Sequence, residues 1–95
     1  MDSGAEAATA MRLLSAFYDA SGGDTDSEIP LGVEAHDRGK GACTRIGLDP
    51  LSKECTQAVN RLVHQGYIQP GTWVGDSYKI MPDGVRKAAE RNRGG

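Results

Sequence analysis

The chain lacks long apolar runs. Nowhere in its 95 residues does a stretch approach the roughly 20 apolar residues of a membrane-spanning helix, so no membrane span is expected. No basic segment followed by an apolar one opens the chain, and the expected location is the cytoplasm. Catalytic signatures are missing too: there is no H-E-x-x-H and no G-x-S-x-G. The run Gly39-Lys40-Gly41 would need Gly at position 34 and Ser or Thr at 41 to form a phosphate loop, and the chain has Glu34 and Gly41. Neither His36 nor His64 has a nucleophile at a motif spacing. An enzyme is not expected, and nothing calls for a cofactor.

Cysteine is scarce. Cys43 and Cys55 are the only two, and they form no C-x-x-C pair. The expectation is two buried, reduced thiols acting as small apolar residues. A redox pair is the sharper alternative, because both cysteines fall on inward helix faces. A zinc site with His36 and His64 lacks the close ligand pairs that structural zinc takes, so no metal is expected.

A chain of this length makes one domain, residues 1–95, with a single modest core. Its formal net charge is −2, but the charge is unevenly placed. Residues 1–37 hold eight acids against one base, Arg12, a local charge of −7; residues 38–95 hold ten Lys or Arg against five acids, a local charge of +5. Because fields act locally, the acidic total does not exclude a surface that meets nucleic acid.

The first element is a helix over about 4–20. Ser3 and Glu6 fit a capping box, and Ala7, Ala10, Met11, Leu14, Phe17 and Tyr18 recur at helical spacing. Residues 21–28, SGGDTDSE, are a mobile acidic loop. Ile29-Pro30-Leu31 is a short or edge strand, since Pro30 cannot donate to a ladder. Residues 33–46 form a glycine-bearing helix with Ala35, Gly39, Ala42, Cys43 and Ile46 on one side, stopped at Gly47. Asp49-Pro50 starts the next helix, 50–65, as N-cap and first residue, with Leu51, Cys55, Ala58, Val59, Leu62 and Val63 inward. Strands at 67–69 and 77–81 flank a turn, Tyr78 and Ile80 sharing one face. Pro82 opens a short last helix, Val85 and Ala88 inward, and residues 91–95 fray.

Two helices joined by Gly47-Leu48-Asp49-Pro50 and followed by a hairpin make a helix-turn-helix with a wing. Through IGLDPLSKECTQAVNRLVHQGYI (46–68) and YKIMPDGVRKAAE (78–90) the chain resembles the winged helix-turn-helix domains of small prokaryotic transcriptional regulators. Met81 stands where that family often has Thr. The resemblance implies an α+β fold: a three-helix core, a short two- to three-stranded antiparallel sheet and a short C-terminal helix. It also implies a DNA-binding regulator that reads double-stranded DNA with the helix at 50–65 and a wing at 70–76.

On that helix Lys53, Gln57, Asn60 and His64 lie opposite the apolar face, flanked by Thr56 and Arg61. Gln and Asn can pair with adenine, and Arg or Lys with guanine. Arg45 and Lys79 are candidates for phosphate contact. The wing carries no Lys or Arg between Pro70 and Asp76. A lone module with so few phosphate contacts binds weakly, so a homodimer through the N- and C-terminal helices is expected. The alternative is a protein-interaction winged helix that binds no DNA, with Trp73, the only Trp, among its contacts.

Overall fold

The apolar spacing near the N-terminus folds as α1 (Ser3–Ser21) in a computed structural model that describes residues 3–32, 41–49, 51–71 and 77–94, with residues 3 and 91–94 described by backbone alone. Ala10, Leu13, Leu14, Ala16 and Phe17 are buried, while Met11 and Tyr18 pack half-buried beside them. This wide apolar face lets α1 touch all the later helices and two strands. The helix begins at Ser3, within a residue of expectation, and ends at Ser21, where the Gly23 N–H donates to the Tyr18 carbonyl at 3.2 Å.

The segment expected as a loop over 21–28 is shorter than expected and internally bonded. Ser21 belongs to α1 and Glu28 to β1 (Glu28–Pro30). Between them the Asp24 carboxylate accepts from the Asp26 N–H at 2.9 Å and from Ser27 Oγ at 3.2 Å. The Ser27 N–H also donates to the Asp24 carbonyl at 3.3 Å.

Three short strands form one antiparallel sheet in the order β1-β3-β2, with β2 at Ile68–Pro70 and β3 at Ser77–Ile80. Ile29 lies opposite Tyr78, and Ile68 opposite Ile80. Pro30 and Pro70 both fall on edge strands, where a missing N–H is tolerated. Ile29, Ile68 and Ile80 are buried, and the Phe17 ring meets that of Tyr78 edge-on at 6.3 Å, so the sheet closes over α1.

Of the helix expected at 33–46, residues 33–40, with His36, Arg38 and Lys40, lie outside the described residues. The described part is α2 (Ala42–Arg45). Its first donors are met from β1's side: Cys43 and Thr44 N–H donate to the Leu31 carbonyl at 3.0 and 3.4 Å. It stops at Gly47 as expected. Gly47 has φ +77°, its N–H donates to Thr44, and the Leu48 N–H returns to Cys43 at 2.9 Å. A β-carbon is disfavoured in that left-handed conformation. Arg12 reaches across from α1, donating from Nη2 to the Ile46 carbonyl at 3.1 Å, so it closes the same helix end.

The next helix, α3 (Lys53–His64), starts later than the expected 50. Asp49 does not cap it. Its Oδ1 accepts from the Leu51 N–H and its carbonyl from the Ser52 N–H, both at 2.9 Å, which makes a turn. Ser52 is the cap instead, its Oγ accepting from the Cys55 N–H at 3.1 Å. Pro50 lies outside the described residues. Leu51, expected inward, consequently sits before the helix and is 86% exposed. Cys55, Ala58, Val59 and Leu62 are buried as expected, and Val63 is half-buried.

The last helix, α4 (Pro82–Gly94), continues past the expected end and through 91–94. Val85 and Ala88 face inward as expected. A β-carbon at Gly84 would collide with the Tyr67 carbonyl, which also accepts the Met81 N–H at 2.8 Å. That close approach accounts for glycine at position 84.

The cysteines require a correction. Both are fully buried, but Cys43 and Cys55 are joined in a disulfide, Cα to Cα 6.5 Å, rather than held as reduced thiols. Each was expected to face inward, and the inward faces of α2 and α3 meet at one point. The bonded sulfurs leave no free cysteine for a zinc site.

Candidate nucleic-acid interface

The register of α3 divides its side chains sharply. With Cys55, Ala58, Val59 and Leu62 held inside, Lys53, Gln57, Asn60 and His64 are all exposed along one line, as their spacing of four, three and four residues requires. Thr56 is exposed beside them, although its hydroxyl donates back to the Ser52 carbonyl at 3.1 Å. Glu54 is exposed in the first turn.

Gln57, Asn60, Arg61 and His64 line one open groove of about 580 Å³, closed on one side by Glu6 from α1 and at the end by Gln65. The amide and imidazole groups can donate and accept hydrogen bonds toward a planar polar ligand edge, and the guanidinium can only donate. Arg61 is not freely available there. Its Nη1 lies 3.6 Å from Glu6 Oε1, with the two side chains 36% and 46% exposed. An ion pair this exposed contributes little to stability, but it neutralises the guanidinium.

The remaining expected contacts lie outside the groove. Lys53 is exposed at the N-terminal end of the α3 stripe, and Arg45 is exposed in the last turn of α2. Lys79 is half-buried on the central strand, in register with Glu28 on one side and Gln69 on the other. The acid opposite it is a favourable cross-strand partner, so Lys79 is less free than a surface lysine. Residues 72–76 of the expected wing, Trp73 among them, lie outside the described residues.

Sequence reasoning missed three features. Glu6 fits a helix cap in the sequence, and its place against Arg61 depends on how α1 packs on α3. Gln65 follows the last residue of α3, where helical counting stops. Leu51 was misplaced because Asp49 and Ser52 are both good cap residues, and the inward phase holds only if the earlier one starts the helix. Among the described residues no group of three or more His, Cys, Asp or Glu could hold a metal ion, and no helix is long and apolar enough to cross a membrane. Comparison of the chain with protein-family models, curated proteins and solved structures finds no match.

Proposed function

We propose that this protein is a winged helix-turn-helix transcriptional regulator that binds double-stranded DNA through α3. The observation that carries the reading is the exposed line Lys53, Gln57, Asn60 and His64, which contains no acid and lies on the second helix of a helix–turn–helix. The element order, with a β1-β3-β2 sheet, supports the winged architecture. In such a docking α3 enters the major groove, Gln57 and Asn60 read adenine edges, and Lys53 bonds guanine or a phosphate. Arg45 and Lys79 meet phosphates.

Binding by one module is weak, so the regulator acts as a homodimer through α1 and α4. On the exposed side of α4 Arg86 lies 3.8 Å from Asp83 within the helix, while Lys87 and Glu90 add both signs, which suits a two-fold contact where each residue meets its complement. The expected compartment is the cytoplasm. Disulfides are rare there, so the buried Cys43–Cys55 bond is unusual for that compartment; once formed, its burial slows exchange, which needs access to a sulfur.

A second reading is a protein-interaction domain. It is favoured by the Glu6–Arg61 pair, which removes a cation from the stripe, and by the exposed Leu51. A titration of labelled duplexes at several salt concentrations separates the two. A regulator shows log K falling linearly with log salt, with a slope of about −0.9 per neutralised phosphate. Absence of salt-sensitive binding to any duplex would leave the protein-interaction reading standing.

A further inference from the structure

Leu51 is the only large hydrophobic side chain exposed among the described residues. It is also firmly presented. Its N–H is held by the Asp49 carboxylate at 2.9 Å, and the next residue, Ser52, is anchored both to the Asp49 carbonyl and as the cap of α3. A residue just before a helix cap often packs against the fourth helical residue as a hydrophobic staple. Here that residue is Thr56, exposed and polar, and Leu51 remains 86% exposed. Among the described residues its isobutyl group therefore has no apolar partner, at the end of the helix that carries the polar stripe.

Resting on the DNA-binding reading above, we propose that Leu51 is a specificity residue that contacts the 5-methyl group of a thymine in the major groove. Residues at the N-terminal end of a recognition helix are those that approach base edges. The thymine methyl is the one apolar feature a base pair presents in that groove, and apolar side chains are what read it. The neighbouring Lys53 and Gln57 supply the polar contacts that hold the helix in register. Hydrogen bonds from Gln57 and Asn60 can read adenine; Leu51 adds a discrimination that the ammonium, amide and imidazole groups of Lys53, Gln57, Asn60 and His64 do not make.

The test uses the intact protein and a duplex selected by it from a randomised 20-base-pair pool. That duplex is compared with a copy in which every thymine is replaced by deoxyuridine, which removes only the methyl groups. The wild type should lose about fourfold in affinity per contacted methyl. Leu51→Ala should bind the thymine duplex as the wild type binds the uracil one, and lose nothing further on the replacement. Its salt slope should equal the wild type's, because no charge is changed, whereas Lys53→Ala should lower the slope and keep the methyl effect. Equal losses in wild type and Leu51→Ala, or no loss in the wild type, overturn the assignment while DNA binding itself stands. If the selection recovers no binding duplex, both readings fall and Leu51 becomes the anchor for a protein partner.

Discussion

α1 and α3 both lie against the core, yet they use their surfaces differently. α1 buries Ala10, Leu13, Leu14, Ala16 and Phe17 along one face, with Leu13 and Phe17 fully enclosed, and contacts every other helix. α3 buries only one side and leaves an unbroken polar line on the other. One helix is used to build the fold and the other to present side chains. Substitutions in α1 should therefore act on stability, and those on the outer side of α3 on binding. Two contacts cross this division: the Cys43–Cys55 bond reaches the buried side of α3, and Glu6 brings an α1 acid onto its outer side.

The largest effect is expected from Phe17→Ala. It removes a fully buried ring that also meets Tyr78 edge-on. The loss should be about 3–5 kcal/mol, enough to leave a domain this small largely unfolded, as read by circular dichroism and urea denaturation. Next is the disulfide. Its cysteines are 12 positions apart, and loss of the cross-link should cost about 3 kcal/mol. A urea midpoint that is the same with and without a strong reductant would mean the bond does not constrain the unfolded chain.

Gln57→Ala and Asn60→Ala sharpen the comparison from the other side. Neither should change stability by more than about 0.5 kcal/mol, since both side chains are exposed. Each should cost about 1–3 kcal/mol on a selected duplex if it makes a paired base contact. A stability loss matching that of Phe17→Ala would erase the division between the two helices. The smallest effect on folding is expected from Glu6→Gln. It should leave the unfolding midpoint nearly unchanged, because the ion pair is partly solvated. Freed of its partner, Arg61 should steepen the salt slope of DNA binding by about one. An unchanged slope would show that Arg61 lies away from the phosphates.

Much of this architecture was legible because it depends on local patterns. The spacing of Ala10, Leu14 and Phe17 marks α1, and that of Cys55, Val59 and Leu62 marks the inner side of α3. Gly47 and Gly66 mark helix ends because the chain turns left-handed there, at φ +77° and +80°. The start of α3 was not legible. Asp49 and Ser52 are equivalent cap candidates, and only the observed hydrogen bonds show that Asp49 is occupied in a turn. The disulfide was half legible: helical phase points both cysteines inward, but pairing depends on the distance between two helices. The same limit applies to the groove. Gln57, Asn60 and His64 follow from periodicity, whereas Glu6 reaches Arg61 across 55 positions of sequence through the packing of α1 on α3.

The Cys43–Cys55 bond also alters the connectivity of the molecule. It makes the turn between α2 and α3, including the exposed Leu51, part of a covalently closed ring. A protease that cuts after Leu51 breaks the backbone within that ring and releases nothing. The two pieces, one carrying α1, β1 and α2 and the other α3, β2, β3 and α4, stay joined through sulfur. On a denaturing gel the nicked protein should run as one band until a reductant is added, and then as two.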